Sequence, residues 1–152
     1  MNEAVEHLIA RVEKLITRLE SVLPHAPKAP DWSAATAFRY RRRGANAVLE
    51  PVRHAATIRL ADLKEIDLQM ERLTRNTEQF VTGRPANNVL LTGARGTGKS
   101  SLIKACLNEF APRGLRLLEV DKTDLIDLPD LVDLVSSRPE RFVVFCDDLS
   151  FD

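Results

Sequence analysis

The sequence has no apolar run approaching the roughly 20 residues that span a bilayer, and its N-terminus lacks the apolar core of a signal peptide. These two absences argue against a membrane role and point to a cytoplasmic protein. Cysteine is scarce: Cys106 and Cys146 are the only two. Both fall at apolar positions, one in a predicted helix and one in a predicted strand, and read as reduced core residues rather than a disulfide or metal pair. Net charge is absent too, because 22 basic and 22 acidic side chains cancel. A neutral chain has no global attraction to nucleic acid or to an anionic surface. Histidine offers no ligand set: His54 stands beside Arg53 without companions and reads as structural, and His7 and His25 show nothing more. No internal repeat is visible.

What is present is an ordinary globular balance, 44% hydrophobic and 29% charged over 152 residues, enough for one domain and an appendage. The charge is unevenly spread. Between His25 and Arg59 the bases far outnumber Asp31 and Glu50, whereas acids dominate from Glu119 onward. Such asymmetry suits contact between subunits or the surroundings of a nucleotide.

The most informative stretch is Gly93-Ala94-Arg95-Gly96-Thr97-Gly98-Lys99-Ser100, a complete G-x-x-x-x-G-K-[ST] loop. The apolar run Val89-Leu90-Leu91 precedes it and predicts a strand; the amphipathic stretch from Ser101 to Phe110 follows and predicts a helix. Strand, glycine-rich turn and helix N-terminus together form a phosphate cradle. The glycines let backbone N–H groups curl around phosphates without Cβ clashes, and the first helical turn, through Ser101, adds unpaired donors and a positive dipole end. Lys99 is placed to reach the β- and γ-phosphates of ATP, and the Ser100 hydroxyl to ligand Mg²⁺. Arg95, within the loop, either brushes the γ-phosphate or points to solvent.

A second motif completes the pattern. Phe142-Val143-Val144-Phe145-Cys146 is continuously apolar, which predicts a strand buried on both faces of a parallel sheet, and Asp147-Asp148 follow at once. Ligands bind at the C-terminal ends of such strands. Asp147 takes the Walker B role behind the hydrated Mg²⁺. Asp148 stands where many P-loop ATPases carry a glutamate that polarises the attacking water; its shorter side chain implies either small backbone adjustments or slow hydrolysis.

Three segments follow from periodicity and composition. Residues 1–23 read as a helix capped by Asn2 and stopped by Pro24, with Val5, Ile9, Val12, Ile16, Leu19 and Leu23 in the rhythm of a coiled-coil seam. That seam either packs on the protein's own body or takes a partner. Residues 24–57 read as a stiff linker (Pro24, Pro27, Pro30) and then a basic segment, in which Phe38 and Tyr40 alternate with arginines. Such interleaving can bind single-stranded nucleic acid, but a solvated segment or one touching a neighbouring subunit is the favoured reading. Residues 58–152 carry the nucleotide motifs. Within them a helix is expected over 67–81, with Ile66, Met70, Leu73, Thr77 and Phe80 on one face, and a strand over 115–120. Asp121, Asp124, Asp127, Asp130 and Asp133 recur every third residue. A helix has 3.6 residues per turn, so the row drifts around its surface; Asp127 and Asp130 suit helix capping rather than a metal.

The segments Asn76-Thr77-Glu78-Gln79-Phe80, Gly83-Arg84-Pro85-Ala86-Asn87-Asn88, the loop itself and Phe145-Cys146-Asp147-Asp148-Leu149-Ser150-Phe151 together resemble the bacterial AAA+ ATPase family catalogued as domain of unknown function 815. The resemblance runs from about Trp32 to the last residue. It implies an α/β fold of P-loop NTPase type, AAA+ in kind, with a parallel sheet core preceded by the N-terminal helix. It also implies that the stretch from Leu60 to Gln69 lies beside the adenine, with Leu63 and Ile66 as pocket candidates. A homo-oligomer is implied as well, since AAA+ proteins complete their site with a neighbour's arginine. AAA+ domains continue past Walker B with a sensor strand, a further strand and a helical lid, whereas this chain stops at Asp152. The expectation is therefore an ATPase truncated after Walker B, whether gene fragment, partial sequence or deliberate shortening. Its Walker A and Walker B strands would then each lack a neighbour, forfeiting ~1.5–3 kcal/mol per large side chain exposed.

The expected function is hydrolysis of ATP, with Mg²⁺, to remodel an unknown protein partner, with Lys99 and Asp148 as the catalytic pair. A nucleotide-binding adaptor or switch with little hydrolysis, acting through the N-terminal helix, is the alternative. A small-molecule kinase fits less well, because the basic N-terminal extension and the paired aspartates suit AAA+ proteins better.

Overall fold

A computed structural model describes residues 3–23, 27–44, 46–53 and 57–149. The expected Asn2 cap, the Pro24 stop, His25, His54 and the Ser150-Phe151 end of the resemblance lie outside the described residues. The expected helices form: α1 (Glu3–Glu20), α2 (Asp67–Val81), α3 (Lys99–Phe110) and α4 (Leu128–Ser136). Of the strands, β3 (Leu115–Glu119) ends one residue before its predicted end, and β4 (Arg141–Phe145) is shifted one residue toward the N-terminus from the Phe142–Cys146 run.

The basic segment departs from its reading as a linker. Ala37–Arg43 and Asn46–Pro51 form strands β1 and β2, paired antiparallel, and β1 is hydrogen-bonded in parallel to β3. The cause is the alternation of side chains along β1. Phe38 and Tyr40 point inward and are almost fully buried, while Arg39 and Arg41 point out. The aromatic rings are thus core, and the arginines find acids: Arg39 donates to Glu119, Arg43 to Glu50, and Arg42 pairs with Asp127 at 3.1 Å.

The sheet order is β2-β1-β3-β4, antiparallel only at the first pair. Helices cover both faces. On one, Phe38, Tyr40, Leu49, Leu118 and Leu131 of α4 close a core around Trp32, whose ring meets Phe38 and Phe142 edge-on at 4.9 and 4.8 Å. On the other, Leu107 and Phe110 of α3 pack on Leu115 and Leu117, with Leu73 and Phe80 of α2 against them. Crossover connections between parallel strands through covering helices are the sign of an α/β fold, here of P-loop type.

Two sequence expectations fail at the far edge, for one physical reason. The Val89-Leu91 run forms no strand, and Val89 and Leu90 are exposed. β4 is not buried on both faces: its residues are half-buried or exposed, with Val144 at 37%. An apolar run becomes a buried strand only when flanked by partners. Among the described residues β4 pairs only with β3, and Val89-Leu91 pairs with none.

Aspartate placement differs from a capping role. Asp127 stands at the N-cap of α4 but makes no capping bond there. Its buried carboxylate instead accepts the Tyr40 hydroxyl at 2.7 Å and faces Arg42. Burial, and then this bond to Asp127, push the Tyr40 hydroxyl well above the usual tyrosine range. Among the described residues no helix is long and apolar enough to cross a membrane.

Candidate functional site

The glycine-rich loop leaves α2 through a turn and runs without regular structure to α3. Asn76 of α2 ties down its approach with two bonds. Its Nδ2 donates to the Asn87 carbonyl at 2.8 Å, and its Oδ1 accepts the Asn87 N–H at 2.9 Å. Within the loop the backbone is left-handed at Gly96 (φ 84°) and at Gly98 (φ 83°), the N-cap of α3. Residues with a Cβ pay a steric penalty there, so the motif's second glycine is required by the turn that starts the helix. No side chain caps α3 at Gly98. The N–H groups of Lys99, Ser100 and Ser101 belong to the first helical turn, where no intrahelical acceptor exists. These donors and the helix dipole suit the end of α3 to an anion.

Lys99 lies back over this cradle. Its ammonium donates to the carbonyls of Gly93 and Ala94, both at 2.8 Å, while the Thr97 hydroxyl donates to Ala94 at 2.8 Å. Among the described residues the cation is therefore tethered to the loop only by neutral acceptors, which a phosphate would outcompete.

β4 delivers the second half of the site. Directly beyond its C-terminal end, Asp147 Oδ2 accepts the Ser100 hydroxyl at 2.9 Å, and Asp147 Oδ1 accepts the Asp148 N–H at 3.0 Å. A hydroxyl and a carboxylate side by side are hard oxygen donors of the kind Mg²⁺ takes alongside phosphate oxygens, so the pair fits that ion. Asp148 has a positive φ of 56°, rare for a non-glycine residue, which turns its carboxylate back toward the loop. Arg95 lies on the solvent side, as one of its two expected readings has it, and there donates to that carboxylate at 2.7 Å. Both partners of the pair are largely exposed, at 91% and 74%.

The structure thus brings Gly93 through Ser101 together with Asp147 and Asp148. Leu63 and Ile66 are half-buried in the segment between a 3-10 turn (Leu60–Asp62) that packs on α3 and the start of α2. Just before that turn, Asn108 of α3 donates to the Ile58 carbonyl at 2.8 Å.

Sequence reasoning missed part of the site's wall. A cavity of about 240 Å³ opens beside the Ser100–Asp147 pair, and Arg39, Arg41, Lys104 and Asp121 help to line it. The signals were there: Arg39 and Arg41 alternate with core aromatics on β1, and Lys104 stands four residues after Ser100 on the same face of α3. Cys146 lies just past β4 and is half-buried rather than core. Burial, then the Asp121 and Asp147 carboxylates, push its thiol up, away from thiolate chemistry. Cys106 is buried and donates to Thr77 Oγ1.

Residues 33–152 match the model of a family described as protein of unknown function (DUF815). No curated protein and no solved structure matches the chain.

Proposed function

The chain belongs to the family described as protein of unknown function (DUF815), a P-loop, AAA-like family, and from that premise we propose that it hydrolyses ATP to ADP and phosphate to remodel a protein partner. The observation that carries the proposal is the Ser100–Asp147 hydrogen bond, which joins the glycine-rich loop and α3 to the C-terminal end of β4, the last strand of the sheet. Each residue has a role in that chemistry. The loop amides and the α3 N-terminus take the phosphates, and Lys99 moves from the Gly93 and Ala94 carbonyls to the β- and γ-phosphates. Ser100 and Asp147 would hold Mg²⁺, which neutralises phosphate charge when bound. Asp148 orients the attacking water and accepts its proton. Leu63 and Ile66 flank the adenine.

The adaptor reading keeps one specific observation in its favour. Arg95 occupies the Asp148 carboxylate, the group that would work on the water. While that pair is closed the chain binds nucleotide with little turnover.

Phosphate release from Mg·ATP separates the two readings. Turnover in the wild-type chain that is lost in Asp148→Asn supports the ATPase. Tight ATP binding without turnover in either protein supports the adaptor.

A further inference from the structure

We propose that α1 joins copies of this chain by packing against the same helix of another copy, in parallel. Every described side chain from Val5 to Leu23 is exposed, so the protein's own body does not cover the helix. Its apolar residues are far from solvent-neutral: Leu8 is 61%, Leu15 55% and Leu19 64% exposed. At 100° per residue, Val5, Val12 and Leu19 form one row, with Ile9 and Ile16 on one side of it and Leu8 and Leu15 on the other. Three adjoining rows make a contiguous apolar strip about 120° wide, of the kind that helices bury against one another.

The borders of that strip select the occupant. Glu6, Glu13 and Glu20 run along the Ile9–Ile16 side, and Arg11 and Arg18 along the Leu8–Leu15 side. Two such helices facing each other in parallel set the acidic border of one against the basic border of the other, on both sides of the seam. Turned antiparallel, the same two faces set glutamate against glutamate and arginine against arginine. Like charges held at a seam destabilise and opposite charges steer, so the borders are complementary to a second copy in one orientation only. Parallel alignment also brings the bodies that follow each helix to the same end of the seam, beyond the Pro27–Pro30 segment. This inference does not depend on the ATPase reading.

Sedimentation of the full chain tests it. The wild type is expected at a mass at least twice its 17.0 kDa. Ile9→Asp with Ile16→Asp, and separately Arg11→Glu with Arg18→Glu, are expected to return it to the monomer mass. Unchanged emission from Trp32, in the core away from α1, would show that the body of each variant stays folded. Orientation is read by oxidative cross-linking in a Cys146→Ser background. Leu19→Cys is expected to cross-link to itself. A monomeric wild type would overturn the proposal, as would self-association that survives the aspartate substitutions. So would cross-linking confined to mixtures of Val5→Cys with Leu19→Cys.

Discussion

Ser100 and Asp147, 47 positions apart in sequence, meet at 2.9 Å, hydroxyl to carboxylate. Two separate stretches of chain, a loop-helix junction and a strand end, have to be folded onto one sheet for that contact to exist. Removing the charge while keeping the shape isolates its purpose. Asp147→Asn retains an oxygen that can accept the Ser100 hydroxyl but is a poorer partner for a divalent cation. Interactions with a charged group are worth ~1.5–3 kcal/mol, so the gain in ATP affinity that Mg²⁺ supplies is expected to fall ~10-fold or more. Affinity measured in EDTA is expected to stay unchanged. Titrations of both proteins with and without Mg²⁺ make the check.

Arg95 and Asp148 form the exposed pair across the mouth of the site. Pairs this exposed contribute only ~0–1 kcal/mol, so Arg95→Ala is expected to leave the urea midpoint nearly unchanged. Freed of its partner, Asp148 is expected to support faster phosphate release from Mg·ATP. A drop in turnover instead would show that Arg95 assists the γ-phosphate.

How much of this was legible in the sequence depended on whether the signal was local. The α2 helix was read to its bounds because one apolar face at helical spacing and a Gly83 stop define it without tertiary help. The loop and α3 were legible because glycine and lysine spacing has few alternatives. Strands were harder. The Val89-Leu91 run is apolar enough for a strand, but pairing is decided by neighbours rather than by the run itself. The β1–β2 hairpin was hidden for the opposite reason: the four arginines Arg39, Arg41, Arg42 and Arg43 masked a period-two alternation with Gly44 at its turn. In the site, Arg41 and Lys104 could not be placed beside Asp147 from sequence, since β1, α3 and β4 meet there only through the parallel register of the sheet.

Tyr40 and Asp127 are the buried polar pair beneath that register. Tyr40→Phe leaves the Asp127 carboxylate one donor short in the core, which is expected to cost ~1–3 kcal/mol. The pair also sets a pH dependence. The folded state holds the Tyr40 proton above the ordinary tyrosine value of 10.0, so the unfolded chain releases it first. Stability from this group is therefore full below that value and declines as pH rises above it. Urea midpoints followed across the alkaline range are expected to fall more steeply in the wild type than in Tyr40→Phe.

Leu131 of α4 is fully buried against the sheet in the core that contains Trp32. Leu131→Ala is expected to lower unfolding free energy by ~2–5 kcal/mol, the range for a leucine removed from a close-packed site. Trp32 is the single tryptophan, so its emission during denaturation reports directly on this core. A change below ~1 kcal/mol would mean that α4 does not hold the sheet in solution.

Calorimetric titration of Mg·ATP into the chain and into Lys99→Ala tests the central claim most directly. Among the described residues the Lys99 ammonium bonds only to the loop carbonyls of Gly93 and Ala94, so its removal leaves both cores intact. The expected result is binding by the wild type and a loss of ~10-fold or more in the variant, in keeping with a charged contact to phosphate. Equal binding by the two proteins, or none by either, would contradict a nucleotide site at this loop.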